Sequence, residues 1–161
     1  MDKIALRKIN PSDKKYFAKW WIDKELIKLT SGILRTVSDK KVEKYFSMML
    51  ASKRDHYFII LVKEKVVGHI SLMKRARNWY ETQIVIGEKN YWNKGIGTRV
   101  IQSLLKKAKR LGIGKIYLEV RPANVRAIRA YGKCGFIATR IKKYPRNKYL
   151  PETLRMELIF C

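Results

Sequence analysis

The chain has 161 residues, of which 47% are hydrophobic and 31% charged, and its formal net charge at pH 7 is +24. This composition excludes collagen-like, low-complexity and disordered chains. A chain of this length buries roughly 70% of its unfolded surface and has no need of covalent staples. We therefore expect a single domain over residues 1–161.

Cysteine content and hydropathy bear on the compartment. Two cysteines, Cys134 and Cys161, are too few for a disulfide framework and fit a reducing environment. No apolar run approaches the roughly 20 residues of a membrane span, and the first ten residues lack the apolar segment of a signal peptide. These features predict a cytoplasmic protein with no membrane partner.

The charge balance indicates what kind of ligand the protein attracts. The chain carries 37 Lys and Arg against 13 Asp and Glu, and such a field attracts phosphates and repels polycations. The basic residues are spread along the chain, so most are interpreted as solvated surface. A small anionic ligand is the first candidate and a nucleic acid the secondary one.

Apolar periodicity and capping signals predict seven strands and four helices in the order β-α-α-β-β-β-α-β-α-β-β. Ser12 is the expected N-cap of the first helix and Ser38 that of the second. The strands are predicted at 3–9, 57–62, 66–73, 80–86, 115–120, 136–142 and 154–160, and the two later helices at 98–111 and 124–133. This alternation predicts an α/β layer fold on one sheet.

One loop has the composition of an anion site. After the strand that ends near Ile86, a basic loop with Gly95 and Gly97 leads into a helix. Glycines let backbone N–H groups approach an oxyanion, and a helix N-terminus adds unpaired donors and a positive dipole. The loop is neither a dinucleotide fingerprint nor a Walker A loop. The alternative interpretation is a plain tight turn.

A second stretch, Leu118 to Phe136, contains a strand, then Asn124, a helix with Tyr131, and Gly135 before Phe136. Together the two stretches resemble the GNAT superfamily of acetyl-CoA-dependent N-acetyltransferases. Its Q/R-x-x-G-x-G/A signature is matched from Trp92 to Gly97, and the element order matches from residue 3 to 160. The resemblance implies one GNAT-like domain, with a central mixed twisted sheet of about six to seven strands flanked by about four helices.

Trp92 stands where the superfamily usually has Arg or Gln. In this respect the sequence resembles the branch of the ribosomal-protein N-terminal acetyltransferases.

The resemblance also implies which residues bind acetyl-CoA. The pantetheine arm would lie along the strand at Val85, Ile86 and Gly87, where a backbone amide near Ile86 would polarise the thioester carbonyl. Asn124 would contact the cofactor arm, and the Tyr131 hydroxyl would protonate the leaving thiolate. The diphosphate would bind the amides of Asn93, Lys94, Gly95, Ile96, Gly97 and Thr98.

Glu81 is the candidate general base. An amine attacks only after losing a proton, and Glu81 lies fourteen residues before Gly95, the offset of the base glutamate in histone-type family members. Three alternatives remain open: Glu81 pairs with a nearby lysine, simply marks the end of a strand, or only orients a water.

The other polar candidates are weaker. His69 lies inside a strand and is interpreted as a packed sheet histidine. No Cys, His and carboxylate cluster has metal-ligand spacing, so no metal is expected. By resemblance, residues 30–37 form an acceptor-specific loop, which contains Arg35 and no carboxylate.

These observations predict an enzyme that transfers the acetyl group of acetyl-CoA directly to a primary amine. The charge disfavours polyamines and aminoglycosides and favours an acceptor on an acidic or neutral carrier, such as the N-terminus of a ribosomal protein. The alternatives are a nucleotide-linked amino sugar or other small amine and, in a different class, a non-catalytic basic module that binds RNA or acyl-CoA.

Overall fold

The computed structural model describes residues 1–32 and 34–161 as seven strands, five α-helices and three short 3-10 turns. The strands are β1 (Ile4–Lys8), β2 (His56–Val62), β3 (Lys65–Lys74), β4 (Trp79–Ile86), β5 (Lys115–Val120), β6 (Ile137–Lys143) and β7 (Glu152–Ile159). The helices are α1 (Lys14–Trp20), α2 (Lys24–Thr30), α3 (Asp39–Ala51), α4 (Ile96–Arg110) and α5 (Val125–Lys133).

All seven strands form one sheet in the order β1-β2-β3-β4-β5-β7-β6. Every neighbouring pair is antiparallel except β4 and β5, which are parallel. The sheet is therefore mixed, and the fold is the single α/β domain that the sequence predicts.

Two hydrophobic clusters cover the two faces of the sheet. On one face α4 packs Val100, Ile101 and Leu104 against strand residues, and α5 lies beside α4. On the other face Phe17 and Trp20 of α1 pack with residues of α2, α3 and β2. Helices thus form a layer on each side of the sheet, as the α/β pattern requires.

The N-terminal helices differ in detail from the sequence prediction. Ser12 is not the N-cap: the Asn10 side chain accepts from the Ser12 amide, in a capping box that Asp13 completes. Asp13 is buried, and Arg7 binds its carboxylate at 2.8 and 2.9 Å. Because a buried carboxylate needs hydrogen-bond donors, Asp13 favours the capping box, in which the Asn10 amide donates to it.

The helix α2 was not predicted. It has only seven residues, begins at an Asp23 cap and buries Leu26 and Ile27. A seven-residue segment with two core positions is too short for helical periodicity to stand out. By contrast, Ser38 caps α3 as expected. Asn124 caps α5.

Candidate functional site

The sheet splits between β4 and β5. The two parallel strands pair at only three positions, which join Trp79, Tyr80 and Glu81 to Lys115, Ile116 and Tyr117. Beyond Glu81, the β5-side edge of β4 has no strand partner among the described residues. A wedge therefore opens toward the C-terminal ends of both strands. Ligand sites in open α/β sheets lie at such ends.

The loop that leads into α4 exposes unsatisfied amide groups. Asn93 and Gly95 both have left-handed backbones, with φ of 63° and 71°. Gly95 is the N-cap of α4, and within residues 1–32 and 34–161 no side chain caps the helix there or places a carboxylate in its first turn. The first-turn amides, including those of Gly97 and Thr98, are consequently free to bind an external anion.

Glycine at position 97 leaves space for such an anion. Apart from adjoining backbone, no atom of the described residues lies within 4 Å of the position that a Cβ would occupy at Gly97 or at Gly95. Asn93, Lys94 and Gly95 are exposed, and Ile96 is buried beneath them as an anchor. All six loop residues predicted to bind the diphosphate therefore lie together around one helix N-terminus.

The end of β4 is held against α1. A Cβ on Gly87 would lie 2.1 Å from Nε1 of the buried Trp20. The same Nε1 donates to a Glu88 carboxylate oxygen at 3.2 Å, and Lys19 pairs with that oxygen at 2.7 Å. Only glycine lets the strand end pass this close to the indole.

Trp92 contacts β4 through its side chain. Its Nε1 donates to the Ile86 carbonyl oxygen at 2.7 Å. The residue that departs from the family signature thus links the anion loop to the strand implied to bind pantetheine. The sequence alone did not predict this contact.

Glu81 lies at the root of the wedge and forms an ion pair. The Arg75 Nε and Nη2 atoms lie 2.9 and 2.7 Å from Glu81 Oε2. Tyr117 contacts the same oxygen at 3.4 Å, and Gln83 contacts Oε1 at 3.4 Å. Burial opposes the Arg75 charge, yet the hydrogen bond to Glu81 and the Glu81 charge raise the pKa of Arg75. Oε1 is the oxygen left for a proton or a substrate.

A second carboxylate, Glu119, lies on the same face two residues beyond Tyr117. Because side chains alternate along a strand and Glu81 is in register with Tyr117, Glu119 and Glu81 point to one side of the sheet. The Tyr144 hydroxyl contacts both Glu119 oxygens at 2.8 and 2.6 Å, and Lys142 lies 3.4 Å away. The sequence analysis did not single out Glu119, although its position two residues after Tyr117 in a predicted strand places both on one face.

Tyr131 and Asn124 belong to α5. Tyr131 packs edge-on against Phe136, and burial raises the pKa of its hydroxyl to about 12. The hydroxyl is therefore protonated at physiological pH, and it makes no hydrogen bond within the described residues. The Asn124 side chain accepts from the Ala127 amide at 3.1 Å, which caps α5. Both residues lie on the helix that follows the free end of β5.

His69 packs away from this chemistry. Its ring lies 4.9 Å from Phe17 and 5.6 Å from Trp20, between centroids. Burial lowers the pKa of His69 to about 4, so the ring is neutral at pH 7.

The residues that end α2 and follow it are fastened both to Arg121, just after β5, and to the loop between β6 and β7. Arg121 donates to the carbonyls of Lys28 and Ser31 at 2.8 and 2.7 Å, and Asn147 donates to Gly32 at 2.8 Å. Ile33, within the predicted acceptor loop, lies outside the described residues. The adjacent cavity of about 510 Å³ is lined by Lys24, Ile27, Lys28, Leu34, Arg35 and Thr36.

Among residues 1–32 and 34–161, no group of three or more His, Cys, Asp or Glu side chains is placed to hold a metal ion. The described helices include none that is long and apolar enough to span a bilayer.

The split sheet has an uncapped helix N-terminus at its mouth, which places free backbone donors beside an open strand edge. The profile of the acetyltransferase (GNAT) family matches residues 13–136, and this chain belongs to that family.

Among curated relatives, an uncharacterized protein from Methanocaldococcus jannaschii is 26% identical over 93% of this chain and 31% of its own length. The N-alpha-acetyltransferase RimI of Mycobacterium tuberculosis is 32% identical over 56% of this chain and 58% of its own. The chain thus spans between about a third and three fifths of these relatives.

Solved structures share the fold. A domain from Methanocaldococcus jannaschii has a TM-score of 0.80 at 24% identity, covering 99% of this chain and 100% of that one. The spermidine N-acetyltransferase from Vibrio cholerae, solved with CoA and spermine, has a TM-score of 0.85 at 19% identity, covering 97% and 95%.

Proposed function

We propose that this protein transfers an acetyl group from acetyl-CoA to the primary amine of a protein N-terminus. The observation that carries the proposal is the wedge between β4 and β5 with the uncapped N-terminus of α4 beside it. Acetyl-CoA supplies an anionic diphosphate and an activated thioester, and the wedge offers donors for the first and an open strand edge for the second.

The described residues fit such a donor substrate. The amides from Asn93 to Thr98 have no protein acceptor in the first turn of α4, and the space above Gly97 is open. Val85, Ile86 and Gly87 lie on the unpaired edge of β4, where an extended arm would bind as an added strand. Asn124 would contact that arm from the start of α5.

The proton transfers are assigned to two side chains. Glu81 accepts a proton from the acceptor ammonium, directly or through a water that it orients, using Oε1. The freed amine forms its bond to the acetyl carbon as the bond to sulfur breaks. Tyr131 donates to the departing sulfur. Because a phenol with a pKa of about 12 is a weaker acid than a thiol, its contribution is a hydrogen bond that stabilises the thiolate.

The proposed acceptor rests on charge and on one relative. A net charge of +24 repels polycationic amines, and the cavity beside α2 is lined by three basic residues and no carboxylate. The Mycobacterium relative is named as an N-alpha-acetyltransferase. The N-terminus of a protein on an acidic or neutral carrier, such as a ribosomal protein, fits both observations.

The test is release of free thiol from acetyl-CoA at physiological salt. Three acceptor pools are offered separately: N-terminal peptides, nucleotide-linked amino sugars, and polyamines with aminoglycosides. We expect release with the peptides. Release with either of the other pools alone overturns the acceptor assignment, and silence in all three overturns the proposed transfer.

A pair of variants at Gly97 tests the proposed diphosphate site. Gly97→Glu places a carboxylate in open space at a helix N-terminus, where it favours the helix but occupies the anion position. We expect calorimetry to show acetyl-CoA affinity at least tenfold weaker for Gly97→Glu than for the uncharged Gly97→Gln, at equal thermal stability. Equal affinities would place the diphosphate elsewhere.

A further inference from the structure

The two helices on one face of the sheet carry charge of a single sign. From residue 89 to 151 the chain has 17 Lys and Arg and one carboxylate, Glu119. All eight charged residues of α4 and α5 are basic. They are Arg99, Lys106, Lys107, Lys109, Arg110, Arg126, Arg129 and Lys133.

Six of these side chains form the exposed outer surface of the helix pair, here called the α4–α5 surface. They are Lys106, Lys109, Arg110, Arg126, Arg129 and Lys133. None of them belongs to an ion pair among the described residues. On α5 they follow one another at i, i+3 and i+7, so they share a helix face.

An ordinary solvated helix alternates its charges, because like charges four residues apart repel. Lys106 with Arg110 and Arg129 with Lys133 are such repelling pairs. The helix α3, on the opposite face of the sheet, also has such a pair in Lys40 and Lys44, but it places Asp39 and Glu43 beside them. The repulsion on the α4–α5 surface is therefore a local property of that surface, which a bound polyanion would relieve.

The diphosphate of acetyl-CoA does not account for this charge. Its proposed site is the first turn of α4, and Lys106 lies ten residues further along, at about 15 Å for a rise of about 1.5 Å per residue. Arg110 lies about 21 Å away by the same measure. An anion that also contacts the C-terminal half of α4 must be longer than a diphosphate.

We propose that the α4–α5 surface binds the phosphate backbone of duplex RNA. The helix α4 has no aromatic residue, and the one aromatic residue of α5, Tyr131, packs inward on Phe136. Without rings to stack on bases, the surface contacts phosphates rather than unpaired bases. RNA in particular rests on the proposed function, since a ribosomal N-terminus is presented beside structured RNA.

The experiment measures binding of a 20-base-pair RNA duplex by fluorescence anisotropy between 50 and 200 mM KCl. Six phosphate contacts predict a slope of log K against log salt on the order of −5, or about a 10³-fold loss over this range. The triple variant Lys106→Gln, Lys109→Gln, Arg110→Gln should bind at least tenfold more weakly, with a slope shallower by about three.

The matched control is Lys40→Gln, Lys41→Gln, Lys44→Gln on α3, which removes the same charge from exposed positions of the other face. We expect it to bind RNA within about twofold of the wild type. Equal weakening by both triples would show that only net charge matters and would overturn the proposal.

Two further arms test the ligand. Tighter binding to a DNA duplex of the same sequence, or binding to anionic vesicles in place of RNA, overturns the RNA assignment. Peptide acetylation by the α4 triple is expected to equal that of the wild type. If the wild type binds RNA but acetylates no peptide, the proposed function is wrong and the RNA-binding surface stands.

Discussion

Glu81 and Glu119 lie on one face of the sheet and differ in how their oxygens are occupied. Arg75 contacts Glu81 at one oxygen only and leaves Oε1 with a long 3.4 Å contact to Gln83. Tyr144 contacts both oxygens of Glu119. Glu81 therefore has one oxygen left to accept a proton, as its proposed role requires, whereas both oxygens of Glu119 are taken by the Tyr144 hydroxyl.

We expect Glu81→Gln to lower kcat by about 10²–10⁴, the usual contribution of a general base, with acetyl-CoA affinity nearly unchanged. Glu119→Gln keeps the shape of its site and should lower kcat by less than about tenfold. The measurement is steady-state acetylation of an N-terminal peptide across pH 6–9.

The pH profile separates a base from a merely structural carboxylate. The deficit of Glu81→Gln should shrink as the pH rises above the α-amino pKa of the peptide, about 7.7–8.0, because a free amine needs no base, whereas the deficit of Glu119→Gln should not change with pH. The reverse pattern would make Glu119 the base and reduce Glu81 to holding Arg75.

At this scale the sequence predicted groups of residues better than it predicted contacts. The loop from Asn93 to Thr98 was located because its glycines and helix start are contiguous. The Trp92 contact with Ile86 and the Tyr144 contact with Glu119 join different elements, so their formation depends on how those elements pack. Glu81 does pair with a cation, but the cation is Arg75, brought close by the turn between β3 and β4.

At the scale of elements, the end of β4 depends on its contact with α1. Gly87 and Trp20 meet so closely that a Cβ cannot be added without a shift, and Trp20 is only 2% exposed. This contact fixes where the strand stops, and hence where the unpaired edge of the wedge meets the anion loop.

Gly87→Ala should lower the free energy of unfolding by about 1–3 kcal/mol, the usual cost of overpacking a core, and weaken acetyl-CoA binding. Trp20→Phe removes the pyrrole part of the indole that the new methyl group would strike. The double variant should therefore be more stable than the sum of the single effects by about 1 kcal/mol. Urea unfolding of all four proteins measures this coupling, and strict additivity would refute the steric explanation.

Element prediction succeeded where periodicity was long. The fifteen residues of α4 and the thirteen of α3 carry several apolar repeats and clear caps, and the β5 boundaries match. The seven-residue α2 is too short to show such repeats. The split between β4 and β5 depends on how two strands pair, which no single segment of the sequence encodes. The wedge could be inferred only from resemblance.

At the scale of the whole molecule, nearly all carboxylates are already paired with a basic side chain. Eleven of the 13 carboxylate side chains form ion pairs among the described residues. Most of the 37 basic residues therefore have no opposite charge nearby. The balance of long-range electrostatics in the folded state is repulsion, to which the six basic side chains of the α4–α5 surface contribute.

Screening should consequently stabilise the fold. The Debye length falls from about 30 Å at 0.01 M salt to about 10 Å at 0.1 M, which weakens repulsion across the molecule, while exposed ion pairs contribute little that screening could remove. We expect the free energy of unfolding to rise by about 1–2 kcal/mol from 10 to 500 mM NaCl, or roughly 2–8 °C in Tm.

The α4 triple glutamine variant identifies the source of this repulsion. At 10 mM salt it should melt above the wild type, because Lys106, Lys109 and Arg110 no longer repel one another, and the difference should close as salt rises. The α3 triple removes lysines that already have Asp39 and Glu43 beside them, so its gain should be smaller. A Tm that falls with salt in the wild type would mean that the ion pairs outweigh the repulsion, and the excess charge of the α4–α5 surface would then cost the fold nothing.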